Sequence, residues 1–332
     1  MLSLLQMHLV SFKRYSLLVL IYNLIVILWG VFLRASKSGD GCGQHWLTCH
    51  GEIIPSAPEL KTIIEFSHRV TSALAFFAVL ILLIWAFRKY EQAHPIRKTA
   101  VGAFIFIITE ALIGAGLVLT GNTSENLTDT RPLWMSAHLI NTMILLAFLT
   151  LNTWFAYGGK QLNLRAHPKQ ILMFSMAFLG IIIVSITGSI SALSNLIFPS
   201  KSLIEGLIKD FSPDSHLILR LRILHPFSSL ILSFYLLFLA SWLKRTAHSP
   251  SIQYWSKILS SLVAIQILSG ILTLLTLSPI LMQLIHLLMA DLIWISLILL
   301  IANFFTEIDS SKTPQTSVNL HVIENVKAKQ LG

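Results

Sequence analysis

Eight stretches of about 20 residues, nearly free of charge, constrain this chain more than anything else in it: 15–34, 66–87, 101–120, 134–156, 171–193, 223–243, 257–277 and 281–305. A helix of that length matches the hydrocarbon thickness of a bilayer. Lipid offers no water to backbone groups, so a span must satisfy its own hydrogen bonds as a helix or join a closed barrel. The apolar runs are continuous rather than alternating, which predicts helices. Only 12% of the 332 residues are charged, about half the usual share in a soluble domain. The expected fold class is all-α integral membrane, with eight transmembrane helices.

The net charge of +9 is not the footprint of a nucleic-acid partner, because the charges sort by loop. With the N-terminus in the cytoplasm, the inner segments hold twelve basic residues, among them Lys13, Arg14, Arg88, Lys89, Arg97, Lys98, Lys244 and Arg245, against one acid, Glu91. The outer loops hold seven basic residues alongside at least as many acids. The positive-inside rule then places both termini in the cytoplasm of a multi-pass protein of the cell membrane. Membrane lipid is the surrounding partner, and anionic lipid fits the basic inner segments. Residues 1–12 lengthen the first span or lie at the interface. The polar stretch 306–332 reads as a cytoplasmic tail.

The outer loops suggest a duplication. The first and third, 35–65 and 194–222, are long, and the second and fourth are short. Glu110-Ala111-Leu112-Ile113-Gly114 echoes Gln266-Ile267-Leu268-Ser269-Gly270 at an offset of 156 residues, and His68 and His225 lie 157 apart. These features predict two homologous four-helix bundles, over 1–160 and 161–305, in parallel orientation.

Of the twelve histidines, His8, His94, His167, His248 and His321 fall in or near inner segments, and His45, His50 and His216 in outer loops. The remaining four, His68, His138, His225 and His286, each fall near the start of an even-numbered span. All even spans run inward, so the four sit at matched depth, roughly 5–8 Å in at 1.5 Å per residue. An ionisable side chain in a span is costly and usually faces the bundle interior. A single one is most simply a helix–helix hydrogen bond, but four at one depth point to a shared ligand. Two neutral imidazoles on facing helices make a six-coordinate heme iron site. Zinc or copper is the weaker reading, since such sites draw on cysteines, carboxylates and closer spacings. The repeat pairs His68 with His138 and His225 with His286.

Glu65 lies three residues before His68, on the same helix face. It is either an acid at a helix N-terminus, favoured by the dipole, or an acid/base or charge-stabilising group beside a substrate. Its counterpart in the second half is Arg222, so the halves differ chemically. Arg69, Arg131, Arg220 and Arg222 could meet anionic heme propionates or simply lie at the interface. Glu110 and Asp291 sit deeper in their spans. The two cysteines, Cys42 and Cys49, share the first outer loop. An oxidising outer face and a short separation favour a disulfide, with a metal site on Cys42, His45, Cys49 and His50 as the alternative.

The segment Leu33-Arg34-Ala35-Ser36-Lys37-Ser38-Gly39, then Cys42, Trp46, Cys49 and Gly51, and then Ile64-Glu65-Phe66-Ser67-His68-Arg69, resembles the heme A synthase family. The motif match covers about residues 30–70, and the rest of the likeness is one of topology. The resemblance implies an oxidoreductase that converts the C8 methyl of heme O to a formyl group, giving heme A for terminal oxidases. It implies that His68 and His138 hold the substrate heme O, that Glu65 is catalytic, and that His225 and His286 ligate a resident heme b. It implies a Cys42–Cys49 disulfide and a heme O synthase as the partner that makes the substrate. Three departures stand out: Leu224-His225-Pro226 where many members have His-Arg, a third outer loop without cysteines, and Glu110 where glutamine is common. The alternative is a diheme b-type electron-transfer cytochrome with no organic chemistry. Self-association into a homo-oligomer stays open at this stage.

Overall fold

The computed structural model describes residues 11–124, 126–163, 168–247 and 249–310. His8, Arg165, His167, His248, His321 and the tail from 311 onward lie outside them. Among the described residues ten helices form: α1 (Phe12–Ala35), α2 (Leu60–Lys89), α3 (Pro95–Leu119), α4 (Arg131–Ala156), α5 (Pro168–Ile197), α6 (Leu203–Phe211), α7 (Leu217–Leu221), α8 (Leu224–Thr246), α9 (Pro250–Leu275) and α10 (Ile280–Ser310). Eight of these segments are long and apolar enough to cross a membrane, with α7 and α8 counting as one span, Leu217–Thr246. Rows of exposed aliphatic and aromatic side chains run along them, such as Leu74, Phe77 and Ile81 on α2 and Ile231, Phe234 and Phe238 on α8. In water such rows would drive aggregation; against lipid they are the expected outer surface. The chain is thus an all-helical, multi-pass membrane protein.

Local signals set the helix ends. Proline at the first turn opens α3, α4 and α9, where its missing N–H costs nothing. Basic residues close α2 and α8, at the negative end of the helix dipole. The helices outrun the apolar stretches: α2 begins at Leu60 rather than 66, and α5 runs from Pro168 to Ile197 rather than 171–193. Hydropathy marks the part of a helix in lipid, whereas the backbone ladder continues into the interface. The third long loop also carries two short helices. In α6, Ser202 accepts the Glu205 N–H at 3.2 Å as an N-cap, and Glu205 pairs with Lys209 at 2.6 Å. That pairing holds the exposed Glu205 carboxyl below its ordinary pKa.

In the first half α1, α2, α3 and α4 close a ring of neighbours. In the second, α5 packs on α8, α8 on α9 and α9 on α10. Phe174 and Phe178 of α5 meet Phe304, Phe305 and Trp294 of α10 edge to face. The halves join where α4 meets α5 and α10, and where α1 meets α10. Polar contacts pin that seam: Trp294 Nε1 donates to the Met143 carbonyl at 2.7 Å, Ser136 and Ser189 share a 2.7 Å hydroxyl bond, and Arg34 Nη2 donates to Gln283 Oε1 at 3.2 Å. Away from the histidines, Ser16 on α1, Thr99 on α3 and Asn152 on α4 form a buried hydrogen-bonded knot.

Candidate functional site

The four histidines lie six to eight residues past the starts of their spans at Leu60, Arg131, Leu217 and Ile280. At 1.5 Å per residue that is roughly 9–12 Å, or two turns, from the helix start. In neither half do the two histidine-bearing helices form a principal packing interface; each packs mainly on helices that lack one. The imidazoles therefore point into the space between diagonal helices.

In the second half this is explicit. The His225 and His286 rings face each other with centroids 6.2 Å apart and planes at 86°. Two iron–nitrogen bonds of about 2 Å, plus about 1 Å from each nitrogen to its ring centre, give about 6 Å. At that separation the pair could hold one heme iron between them. Thr187 Oγ1 already donates to the Ile183 and Val184 carbonyls, so its 3.5 Å contact with His225 Nδ1 is an acceptor for that ring's N–H. Ser269 Oγ donates to the Gln266 carbonyl and meets His286 Nδ1 at 3.1 Å in the same way. Gln266 Nε2 donates to His286 Nε2 at 3.3 Å. The His286 ring then carries its proton on Nδ1 and a lone pair on Nε2, the form that binds a metal.

The first half is arranged differently around His68 and His138. His138 Nδ1 stands 3.3 Å from Glu110 Oε1, out of line for a hydrogen bond, and neither ring's Nδ1 has a hydrogen-bond partner. Glu110 is held by α4 itself, accepting from Asn141 Nδ2 at 2.5 Å and from the Thr142 hydroxyl. Gln266 and Glu110, matched in the repeat, thus both reach the imidazole of the following span.

Four glycines complete the pattern. A Cβ added at Gly30 would lie 2.9 Å from His68 Cε1; at Gly188, 3.0 Å from His225 Cε1; at Gly270, 3.2 Å from His286 Cε1; and at Gly114, 3.9 Å from His138 Cε1. Each odd span thus offers a notch to the imidazole of the next. The sequence reading used Gly114 and Gly270 only as repeat markers and passed over Gly30, Gly188, Thr187 and Ser269. The signal was present, since Gly30 and Gly188 lie 158 residues apart, close to the histidine offset.

Glu65 is 2% exposed. Its Oε2 accepts the Cys42 N–H at 2.8 Å, and its Oε1 accepts Arg69 Nε at 3.1 Å together with Arg69 Nη2. Arg69 Nη1 continues to the His45 and Thr48 carbonyls at 2.7 and 2.8 Å. One carboxylate–guanidinium pair therefore clamps the first loop onto α2. Cys42 and Cys49 form a disulfide with Cα atoms 4.4 Å apart, which removes the thiolates a metal site would need. Gly43 takes φ +64° beside it, a left-handed turn open to glycine.

The arginines considered for propionates have other partners. Arg69 holds Glu65 and the loop. Arg131, 2% exposed, donates to the Ser124 carbonyl at 2.6 Å and to that of Asn126. Arg222 binds Asp210 at 2.7 Å, Asn195 Oδ1 at 2.8 Å and the Gly206 carbonyl at 3.2 Å, fastening α6 beneath α8. Arg220 is exposed. Asp291 is 1% exposed, and its Oδ2 has no hydrogen-bond partner.

Known proteins share this sequence. A protoheme IX farnesyltransferase of Thermus thermophilus is 43% identical over 220 residues, 66% of this chain and 36% of that protein. Heme A synthases of Halalkalibacterium halodurans and Alkalihalophilus pseudofirmus are 42% and 40% identical over 113 and 111 residues, 34% and 33% of this chain and 38% and 37% of theirs. The matches thus span little more than a third of each relative's length. The family model described as cytochrome oxidase assembly protein (COX15-CtaA) covers residues 13–298. With that match over most of its length, the chain belongs to the COX15-CtaA family of cytochrome oxidase assembly proteins.

Proposed function

We propose that the chain is a heme A synthase, an oxidoreductase that converts the C8 methyl of heme O to the formyl group of heme A. The observation that carries this reading is the pair His225 and His286, with ring centroids 6.2 Å apart, beside a first half whose matching histidines, His68 and His138, have different polar surroundings. Family membership and the names of the two heme A synthase relatives support it.

In this reading His225 and His286 hold a resident heme b, which supplies one-electron transfer when bound. His68 and His138 hold heme O, the substrate. Converting the methyl to an aldehyde is a four-electron oxidation overall, as two hydroxylation-like steps followed by loss of water; with water as the oxygen source it releases four protons, and the four electrons leave to an acceptor outside this chain. Glu65 is the catalytic group: a carboxyl three residues before His68, shielded from solvent and paired with Arg69, would act on charge developing on the substrate. Arg69 and the Cys42 N–H hold it in place.

The Thermus relative is named for farnesyl transfer to protoheme IX, and about two thirds of this chain matches part of it. That supports a heme O synthase as the partner supplying the substrate. The chain sits in the cell membrane with both termini cytoplasmic, so the histidine end and the disulfide face outward, where thiols oxidise. The test is coexpression with a heme O synthase in a host that makes no heme A, followed by chromatography of extracted hemes. Heme A dependent on this chain supports the proposal. Unconverted heme O beside a protein carrying only heme b identifies a diheme-type cytochrome instead.

A further inference from the structure

We infer that His138 is the ligand that releases the iron when substrate heme enters and leaves the first half, and that the open space at Gly114 permits it. The inference rests on the synthase reading. A macrocycle clamped on both faces by imidazoles can depart only when one of them withdraws, and a resident heme requires that neither does. The four notches differ in just this respect. Behind His68, His225 and His286 a Cβ would stand 2.9–3.2 Å from the ring, so those rings already lie against helix backbone with no room to retreat. Behind His138 the position is 3.9 Å from the ring, and no other atom outside the helix's own backbone lies within 4 Å of it.

The slack is local to the ring. On α3, Gly116 takes the Trp134 indole at 2.4 Å from its Cβ position, and Glu110 is bonded to Asn141 and Thr142. The α3–α4 contact is therefore fixed on both sides of Gly114, and only the imidazole has freedom. The hydrogen bonds separate the two halves. Thr187 and Ser269 meet Nδ1 of the second-half rings, whereas neither first-half Nδ1 is hydrogen-bonded, and His138 Nδ1 has an acceptor nearby in Glu110 Oε1, at 3.3 Å and out of line. A ring swinging toward Gly114 can bring its Nδ1–H onto that carboxylate. The coordinate bond breaks with its electron pair returning to nitrogen, the iron passes from six- to five-coordinate, and nothing is oxidised or reduced. His68, seated on Gly30, stays as the fixed ligand.

The test uses the full-length protein, purified with its second-half heme, loaded with heme O and mixed with excess apomyoglobin as a heme acceptor. The low-spin spectrum of the second-half heme marks a folded protein in every variant. Gly114→Val, which fills the slack, is expected to slow heme O transfer at least fivefold, and the milder Gly114→Ala to slow it less. His138→Ala is expected to retain heme O as a five-coordinate high-spin species that transfers faster, and His68→Ala to lose it during purification. Wild-type transfer from Gly114→Val, or retention by His68→Ala with loss from His138→Ala, overturns this inference alone. A wild-type chain that takes up no heme O while its second-half spectrum is intact overturns the synthase reading and this inference with it.

Discussion

The backbone N–H of Cys42 donates to the buried carboxylate of Glu65 at 2.8 Å, so the disulfide loop and the helix carrying His68 share one acid. Arg69 completes the link by binding Glu65 and two loop carbonyls at once. Removing the disulfide in Cys42→Ser/Cys49→Ser frees a short closed loop, a change of about 2–3 kcal/mol by chain entropy. The expected result is a lower melting temperature and faster amide exchange at 41–52, with the second-half heme spectrum unchanged. Equal exchange in wild type and variant would show that the Glu65–Arg69 clamp holds the loop unaided.

Glu65→Ala removes the acceptor for both Cys42 and Arg69 and leaves a half-buried guanidinium without its counter-charge, a loss of about 1–3 kcal/mol. The variant is expected to retain heme b and make no heme A. Glu65→Gln keeps an oxygen for the Cys42 N–H but no charge, and is expected to be nearly as inactive. Heme A output near wild type from Glu65→Gln would assign Glu65 to loop fastening and not to the reaction.

Ser269→Ala deletes the hydroxyl at His286 Nδ1. Loss of such an outer-shell partner commonly weakens metal-site affinity about tenfold or more. Heme should leave the second half correspondingly faster, as read by transfer to an acceptor protein, with the first half unaffected. Thr187→Ala should act the same way on His225 but more weakly, because its contact is longer at 3.5 Å.

Trp294→Phe keeps the ring packing against Phe178 but loses the bond to the Met143 carbonyl across the seam. About 1 kcal/mol of stability should go with it, seen as a drop of a few degrees in the melting temperature in detergent. An unchanged melting temperature would mean that packing alone joins the halves.

Much of this architecture is legible in the amino-acid order, because a bilayer forces a simple pattern on it. Apolar runs marked all eight spans, and of the histidines at matched positions the structure sets His225 and His286 ring to ring. The ends were less legible: hydropathy stops where lipid stops, so α2 starts six residues earlier than its run and the histidines sit farther along their helices than along their apolar runs. The short helices α6 and α7 went unread, since an interfacial helix has neither the length nor the composition of a span. Glu65 stood out by its spacing from His68, but its bonds to Cys42 and Arg69 depend on how a 24-residue loop folds back, which no local pattern encodes. The arginines misled for a similar reason. Charge at the membrane edge signals an anion to be met, and here Asp210, Glu65 and loop carbonyls are what Arg222, Arg69 and Arg131 meet. Gly30 and Gly188 were visible only as ordinary small residues until the imidazoles were placed beside them.

The central proposal is that His225 and His286, from diagonal helices, grip the iron of the resident second-half heme from both sides. Near-infrared magnetic circular dichroism of the purified, oxidised protein reads axial ligands directly. The account predicts a bis-imidazole low-spin heme that is lost in both His225→Ala and His286→Ala and kept in His68→Ala and His138→Ala. A bis-imidazole signal that survives either second-half substitution, or one that never forms in the wild-type protein, would contradict it.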